Sequence, residues 1–424
     1  MNILVIGSGA REHVFFNQLL KSNAQISLFS IKPNAAISKF TKSYYIEFNF
    51  YNLKKILVNE SINLVLVGPE IPLIDGVYDF IKSDPDTHDV IVIGPSNRGS
   101  MLEGSKDFAK GFMSRYNIPT AKSKSFTKDT YDKAIDYLKT QSPPFVLKAD
   151  GPAAGKGVVI SHNLNDALAV LKKMLIDNSF GKSSEKVVIE EFLTGIEMSC
   201  FVLFDGKNYK TLPYAKDYKR IGEGDVGLNT GGMGSVSPVS FIDIELKKKI
   251  DTQIIRPTIK GLIEEKIDYK GFIFIGLINV NGDPFVIEYN VRMGDPETQV
   301  VLPRIKNDFL EILLAIENQD LDNLDLDIDN NHFVNVVLAS EGYPDSYTKG
   351  FEINGLERVR DSIIYHAGTT LKDNKVVTNG GRVISVVSSS DDFKKALLSS
   401  YNSIKKIGFK GKKYRKDIGF DLYK

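Results

Sequence analysis

The 424-residue sequence holds a single cysteine and a formal net charge of only +1. Lone Cys200 excludes an internal disulfide. Set in the apolar run Met198–Phe204, it is expected to be a small core residue rather than a nucleophile. So small a net charge excludes a global field drawing nucleic acid or an anionic membrane, and any basic site must be local. No apolar run approaches the length of a bilayer span. The five histidines, His13, His88, His162, His332 and His366, are scattered without metal-ligand spacing. The opening Met1-Asn-Ile-Leu-Val-Ile6 reads as a strand without a basic n-region, so no signal peptide is expected and a cytoplasmic location is. Internal repeats and low-complexity tails are also missing. What is there, 42% hydrophobic and 25% charged residues, suits a globular protein with a full core, and the length implies about two to four domains.

The stretch Phe145–Ser161 carries the densest chemistry. Apolar runs Phe145–Leu147 and Val158–Ile160 flank a loop with Gly151, Gly155 and Gly157, and with Lys148 and Lys156. Glycines let backbone N–H groups approach a ligand, and the ammonium groups add charge, a pairing that suits a polyphosphate. It is no P-loop. That motif needs four residues before its Gly-Lys and a following Ser or Thr; here three residues separate Gly151 from Gly155, and Gly157 follows Lys156. The next run reads as a strand, so the loop is expected to be a flap between two strands.

Toward the N-terminus, strands at Asn2–Ile6, Asn63–Val67 and Asp89–Ile93 alternate with helical patterns and end in Gly-rich or Pro-rich turns. This predicts an α/β unit with a doubly wound parallel sheet, its turns lining a ligand edge. The first turn, Gly7-Ser-Gly-Ala-Arg-Glu-His13, is not a dinucleotide fingerprint. Glu12 stands where a third small residue is needed, Arg11 and Glu12 would crowd a pyrophosphate, and strand Gln25–Ser30 ends without an acid for a ribose. The turn reads either as a site for a smaller anion, such as one monophosphate, or as purely structural.

Helix Ser105–Tyr116 carries Lys106 and Lys110, and Asn117-Ile-Pro-Thr120 breaks it. In Val187–Ser199, Glu190 and Glu191 at a strand end beside a Gly turn fit the hinge of a nucleotide site, where an acid accepts from ribose and backbone reads adenine. The Gly-rich segments Leu212–Asp225 and Gly227–Pro238 read as one long functional loop, and Ile244–Glu265 as a helix. A hairpin of Phe272–Val280 and Phe285–Val291 follows. Alternation on its second strand sends Glu288, Asn290 and Arg292 to one face. Two hard oxygen donors suit Mg²⁺ bridging phosphates, and a guanidinium suits a transferring phosphoryl group. Asp295 and Glu297 precede the next helix. Acidic Asn318–Asn331 reads as a linker to a last α/β domain with strands Phe333–Ala339, Ile363–Ala367 and Arg382–Val387 and a helix Asp391–Lys406.

Together the strings Gly7–His13, Lys148-Ala-Asp-Gly151, Ala154–Gly157, Asp217–Asp225, Asn229-Thr-Gly-Gly-Met-Gly234, Glu288–Glu297 and Asn379-Gly-Gly-Arg382 resemble, essentially end to end, the phosphoribosylamine–glycine ligases, ATP-grasp enzymes of purine biosynthesis. The resemblance implies an α/β and α+β multidomain fold: an N-terminal doubly wound domain (1–104), a linker helix (105–120), ATP-grasp flap and central subdomains (121–192 and 193–327) and a small C-terminal α/β domain (328–424). It implies ligation of glycine to 5-phosphoribosylamine through glycyl phosphate, with ATP and Mg²⁺ or Mn²⁺, in a monomer that binds neither nucleic acid nor membrane. Lys106 and Lys148 become the nucleotide lysines and the loop from Gly151 through Gly155 and Lys156 to Gly157 a triphosphate lid. Glu190 and Glu191 mark the adenine hinge, Glu197 accepts from ribose, and Glu288 and Asn290 match the metal positions. Arg292 would stabilise the phosphoryl group or acyl phosphate. Asp217, Lys219, Asn229, Asp295 and Glu297 surround the substrates, and Gly9, Arg11 and Glu12 hold the phosphoribosylamine. Pro152, Tyr218, Leu228 and Met293 depart from the usual Leu, His, Pro and Phe. Another ATP-grasp ligase, a nicotinamide oxidoreductase and a non-catalytic nucleotide-binding regulator are the alternative readings.

Overall fold

The computed structural model describes residues 1–153 and 157–422. Five parallel strands open it, in the spatial order Ile91–Pro95, Leu64–Val67, Asn2–Ile6, Ser27–Ile31 and Lys42–Tyr44. Their near-continuous apolar runs reflect burial on both faces, as a helix-covered parallel sheet requires; Ile3, Leu4 and Val5 are fully buried. One expected ligand turn is absent from the ligand edge. Gly94-Pro95 extends its strand and pairs antiparallel with Tyr269 and Lys270 instead of turning. Strand Tyr269–Val280 continues from there to pair with Ile196–Phe204 and with Asp283–Asn290, so one nine-stranded sheet runs from the N-terminal unit into the centre of the chain.

A second sheet is fully antiparallel, in the order Ser123–Thr127, Lys186–Glu190, Phe145–Ala149 and Val158–Ser161. Helices Tyr131–Lys139 and Leu164–Leu175 cover it over a core that includes Leu138, Leu147 and Leu171. Gly155 and Lys156, at the tip of the expected flap, lie outside the described residues.

The long loop expected at 212–238 is not structureless. It forms strands Lys216–Asp217, Arg220–Gly222, Val226–Asn229 and Gly234–Ser237. Two of these join the C-terminal sheet, because Gly234–Ser237 pairs with His332–Ser340, a partner almost a hundred residues away that no local pattern announces. That sheet continues through Arg382–Ser390 to Ile363–His366, with helix Phe393–Lys406 packed on it. The acidic 318–331 segment is pinned rather than free. Ile305 bridges Ile328, and the Arg304 guanidinium donates twice to the Asp329 carbonyl. Helices Ile244–Ile250 and Arg256–Glu264 run on through a π-turn at Asp251–Ile255 as one rod where a single helix was expected. Among the described residues no helix is long and apolar enough to cross a membrane.

Candidate functional site

The antiparallel sheet contributes one charged wall. Ser105 caps helix Lys106–Arg115 by accepting from Phe108 N–H, and Asp150 accepts from Ser105 Oγ and Asp107 N–H. This cap ties the helix to the start of the Gly-rich loop and aims Lys106 Nζ at the carbonyls of Asp150 and Gly151, at 3.3 and 3.4 Å. Lys148 Nζ lies 2.8 Å from Glu190 Oε2, and Lys110 Nζ lies 3.4 Å from Oε1 of the same carboxylate. Burial lowers the pKa of both Lys106 and Lys110. Glu191, one residue along, turns away and accepts from Lys122 N–H.

The hairpin supplies the facing wall. Gly276 sits opposite Glu288, and a Cβ there would stand 3.2 Å from Glu288 Cγ, so glycine makes room for the acid. Burial alone would raise the Glu288 carboxyl, but Lys219, Lys148, Lys106 and Arg292 together hold it below its ordinary value. The lysines of one wall therefore act on the acid of the other. Arg292 Nη2 donates to Asn290 Oδ1 at 3.1 Å and pairs with Glu103 at 2.6 Å, while Nε stands 3.8 Å from Glu70. Glu103 also accepts from Val291 N–H. Sequence reasoning missed Glu70, Glu103 and the Asp150 cap. Each acts across a large sequence separation; the only signal was Glu70 closing the turn Gly68-Pro-Glu70.

Glu288 and Asn290 fit a divalent cation by chemistry: an ionised carboxylate and an amide oxygen that keeps a lone pair beyond the one given to Arg292. Among the described residues no three His, Cys, Asp or Glu side chains converge as a metal site.

A third cluster joins the two walls. Lys219 Nζ lies 2.9 Å from Glu197 Oε2. Burial would lower Lys219, but Glu197, Asp217 and Glu288 raise it well above the usual lysine range, and Lys219 in turn lowers Glu197. Asp217 is raised by burial, and burial with the nearby Asp217 pushes Glu297 up to about 8. Ser199 Oγ donates to Glu297 at 3.2 Å. Asn229 is not drawn into this cluster; it is exposed at the end of strand Val226–Asn229.

The N-terminal turn closes the arrangement. Glu12 folds beneath it instead of projecting from it, accepting from Gly9 N–H and Arg11 Nε, each at 2.6 Å, at only 1% exposure. Both its oxygens are thus engaged by the turn itself, which corrects the expectation that Glu12 would crowd a pyrophosphate. Gly9 faces Asp295, whose Oδ2 would lie 3.3 Å from a Cβ there. Burial would raise Asp295, but Arg382 and Arg11 hold it low. Arg382, from the C-terminal sheet, donates to the carbonyls of Gly231 and Asp295 at 2.6 and 2.7 Å. Tyr218, where the resemblance leads one to expect histidine, points away into the C-terminal core at 1% exposure.

Family models for phosphoribosylglycinamide synthetase match nearly the whole chain: the N domain at residues 1–103, the ATP-grasp (A) domain at 104–298 and the C domain at 333–421. The chain is 42% identical over 419 residues to the phosphoribosylamine–glycine ligase of Caldanaerobacter subterraneus subsp. tengcongensis, covering 99% of each. It is 41% identical over 426 residues to that of Fusobacterium nucleatum subsp. nucleatum, covering 99% of this chain and 98% of the other. The crystal structure of phosphoribosylamine–glycine ligase from Thermotoga maritima superposes with a TM-score of 0.85 at 34% identity, over 98% of this chain and 100% of that one. Biotin carboxylase from Campylobacter jejuni shares the fold, with a TM-score of 0.73 at 14% identity over 98% of this chain and 93% of its own.

Proposed function

The chain belongs to the phosphoribosylglycinamide synthetase family, and from that premise we propose that it joins glycine to 5-phosphoribosylamine with ATP, forming glycinamide ribonucleotide, ADP and phosphate. A glycine carboxylate oxygen attacks the γ-phosphorus and ADP leaves. The amine nitrogen of phosphoribosylamine then attacks the acyl carbon, the bond to phosphate breaks, and the nitrogen gives up a proton. The protein supplies position and charge rather than a nucleophile. Buried Cys200, its thiol pushed up to about 12, fits that division of labour.

In this reading Lys106 and Lys148 hold the triphosphate beside the Gly151–Gly157 loop, Glu190 and Glu197 line the nucleoside end, and Glu191 contributes backbone to the hinge while its side chain turns to Lys122. Glu288 and Asn290 would hold Mg²⁺ or Mn²⁺, whose charge offsets that of the phosphates. Arg292, braced by Glu103 and Glu70, directs its guanidinium to the transferring group. Asp217 and Lys219 face the glycine, and Asn229, exposed at its strand end, would have to move to join them. Gly9, Arg11, Asp295 and Glu297 receive the phosphoribosylamine, with Glu12 keeping the turn in shape. An acyl phosphate hydrolyses in water, so the Gly-rich loop must cover it. We further propose a cytoplasmic monomer, which sedimentation and fractionation test.

The observation that carries this reading is the electrostatic pull of Lys106, on the helix capped by Ser105, and Lys148, on the antiparallel sheet, upon Glu288 of the facing hairpin. ADP release is the test. Turnover is expected only with glycine and phosphoribosylamine together, and turnover indifferent to glycine would overturn the assignment.

A further inference from the structure

Asp217 and Lys219 face the acid cluster, while Lys216 and Tyr218 face the other way, onto the end of the chain. Tyr218 Oη donates to Asp421 Oδ1 at 2.9 Å, and Lys216 Nζ pairs with Asp421 Oδ2 at 3.3 Å. One carboxylate therefore holds the residues on both sides of Asp217. Arg415, only 1% exposed, stacks over the Tyr218 ring at 5.3 Å and pairs with Asp225 and Asp417. Asp417 in turn accepts from Gly224 N–H at 2.7 Å. The segment thus grips strand Lys216–Asp217 and the hairpin that follows it. The backbone continues the linkage: Tyr218 N–H donates to Gly234 at 3.0 Å, and Met233 N–H donates to Tyr218 at 2.7 Å.

We propose that Asp421 is a positioning residue for the ligase reaction: by holding Tyr218 and Lys216 it fixes the backbone that presents Asp217 and Lys219. This rests on the function proposed above. The Tyr218 side chain anchors the C-terminal segment and faces away from the acid cluster.

Tyr218→Phe removes one hydroxyl and keeps the ring, and Asp421→Asn keeps the shape and removes the charge. Each is expected to lower kcat about tenfold, with a smaller rise in KM for ATP felt through the Lys219–Glu197 pair, because Lys106 and Lys148 lie on the other wall. The double variant should be no worse than the poorer single, since both act through one contact. Asp421→Glu should recover part of the rate. Unchanged kcat in both singles, or losses that multiply in the double, would overturn the proposal. Wild type run alongside separates the two ideas: an inactive wild type would sink the function, not the clasp. Hydrogen exchange reads the clasp whatever the substrate. The Tyr218 and Met233 amides should exchange at least about tenfold faster in Asp421→Asn, and unaltered protection would end the proposal.

Discussion

Arg382 Nη2 stands 3.2 Å from Asp295 Oδ2, while Nη1 of the same guanidinium holds the carbonyls of Asp295 and Gly231. One side chain from the C-terminal sheet thus fixes two motif segments of the centre, Asn229–Gly234 and Met293–Gln299, beside the N-terminal Gly9 turn. Arg382→Ala would leave the half-buried Asp295 carboxylate without its main counter-charge and free the Gly231 loop. We expect kcat/KM for phosphoribosylamine to fall about 10²-fold, roughly 2.7 kcal/mol, with KM for ATP little changed. Steady-state kinetics with each substrate varied in turn distinguishes this from a global defect.

Glu288→Ala removes the acid on which Lys219, Lys148, Lys106 and Arg292 converge. We expect kcat at ordinary Mg²⁺ to fall by at least about 10²-fold, because the charge opposing the phosphates loses its support. The assay is ADP release, with a thermal melt to confirm folding. Near-wild-type kcat would contradict the metal role.

Arg292→Lys tests geometry rather than charge. The guanidinium spans Asn290, Glu103 and the Met293 carbonyl at once, at 3.1, 2.6 and 3.2 Å. A single ammonium cannot reach all of these, so kcat should drop about tenfold or more even though the charge is retained. Unchanged kinetics would remove Arg292 from the phosphoryl site.

The parts of the site that sequence alone made legible are the local ones. Alternation placed Glu288 and Asn290 on one face because a strand has period two wherever it pairs. The continuous apolar strands of the N-terminal sheet were equally readable, since burial on both faces leaves no other composition. Gly94-Pro95 was misread as a turn, because its pairing with Tyr269 and Lys270 lies far along the chain. The 212–238 segment looked structureless for the same reason: two of its strands complete a sheet whose other members come a hundred residues later. Glu103 carries no motif, and only the fold brings it to Arg292. Family resemblance named Glu12 without revealing its direction; the glycines around it make that direction possible.

Those glycines yield a prediction about stability. A Cβ on Gly68 would come within 1.9 Å of Glu12 Oε1, and Oε1 cannot retreat without releasing Arg11 Nε. Gly68→Ala should therefore destabilise the protein by about 1–3 kcal/mol, as overpacking of a closed site does. Urea denaturation measures it. In Glu12→Ala the obstacle is gone, so adding Gly68→Ala should cost much less in that background than in wild type.

His13 and His366 couple the fold to pH. His366 N–H donates to His13 Nδ1 at 2.8 Å, and burial, then the neighbouring His366, pushes His13 from 6.5 down to about 3. Burial likewise takes His366 to about 4, aided by Lys39. Both are neutral in the fold at pH values where an unfolded histidine is charged. Below about pH 6.5 the unfolded chain therefore binds more protons, so the stability these groups sustain is complete above that pH and drains as it falls toward 4 and then 3. His13→Asn keeps an acceptor for the His366 N–H but does not titrate. Its stability should fall less steeply between about pH 6 and pH 4, by up to about 1.4 kcal/mol per pH unit, one proton's worth. Denaturation at several pH values in that interval checks the slope, and a variant as acid-sensitive as wild type would show that other groups govern the loss.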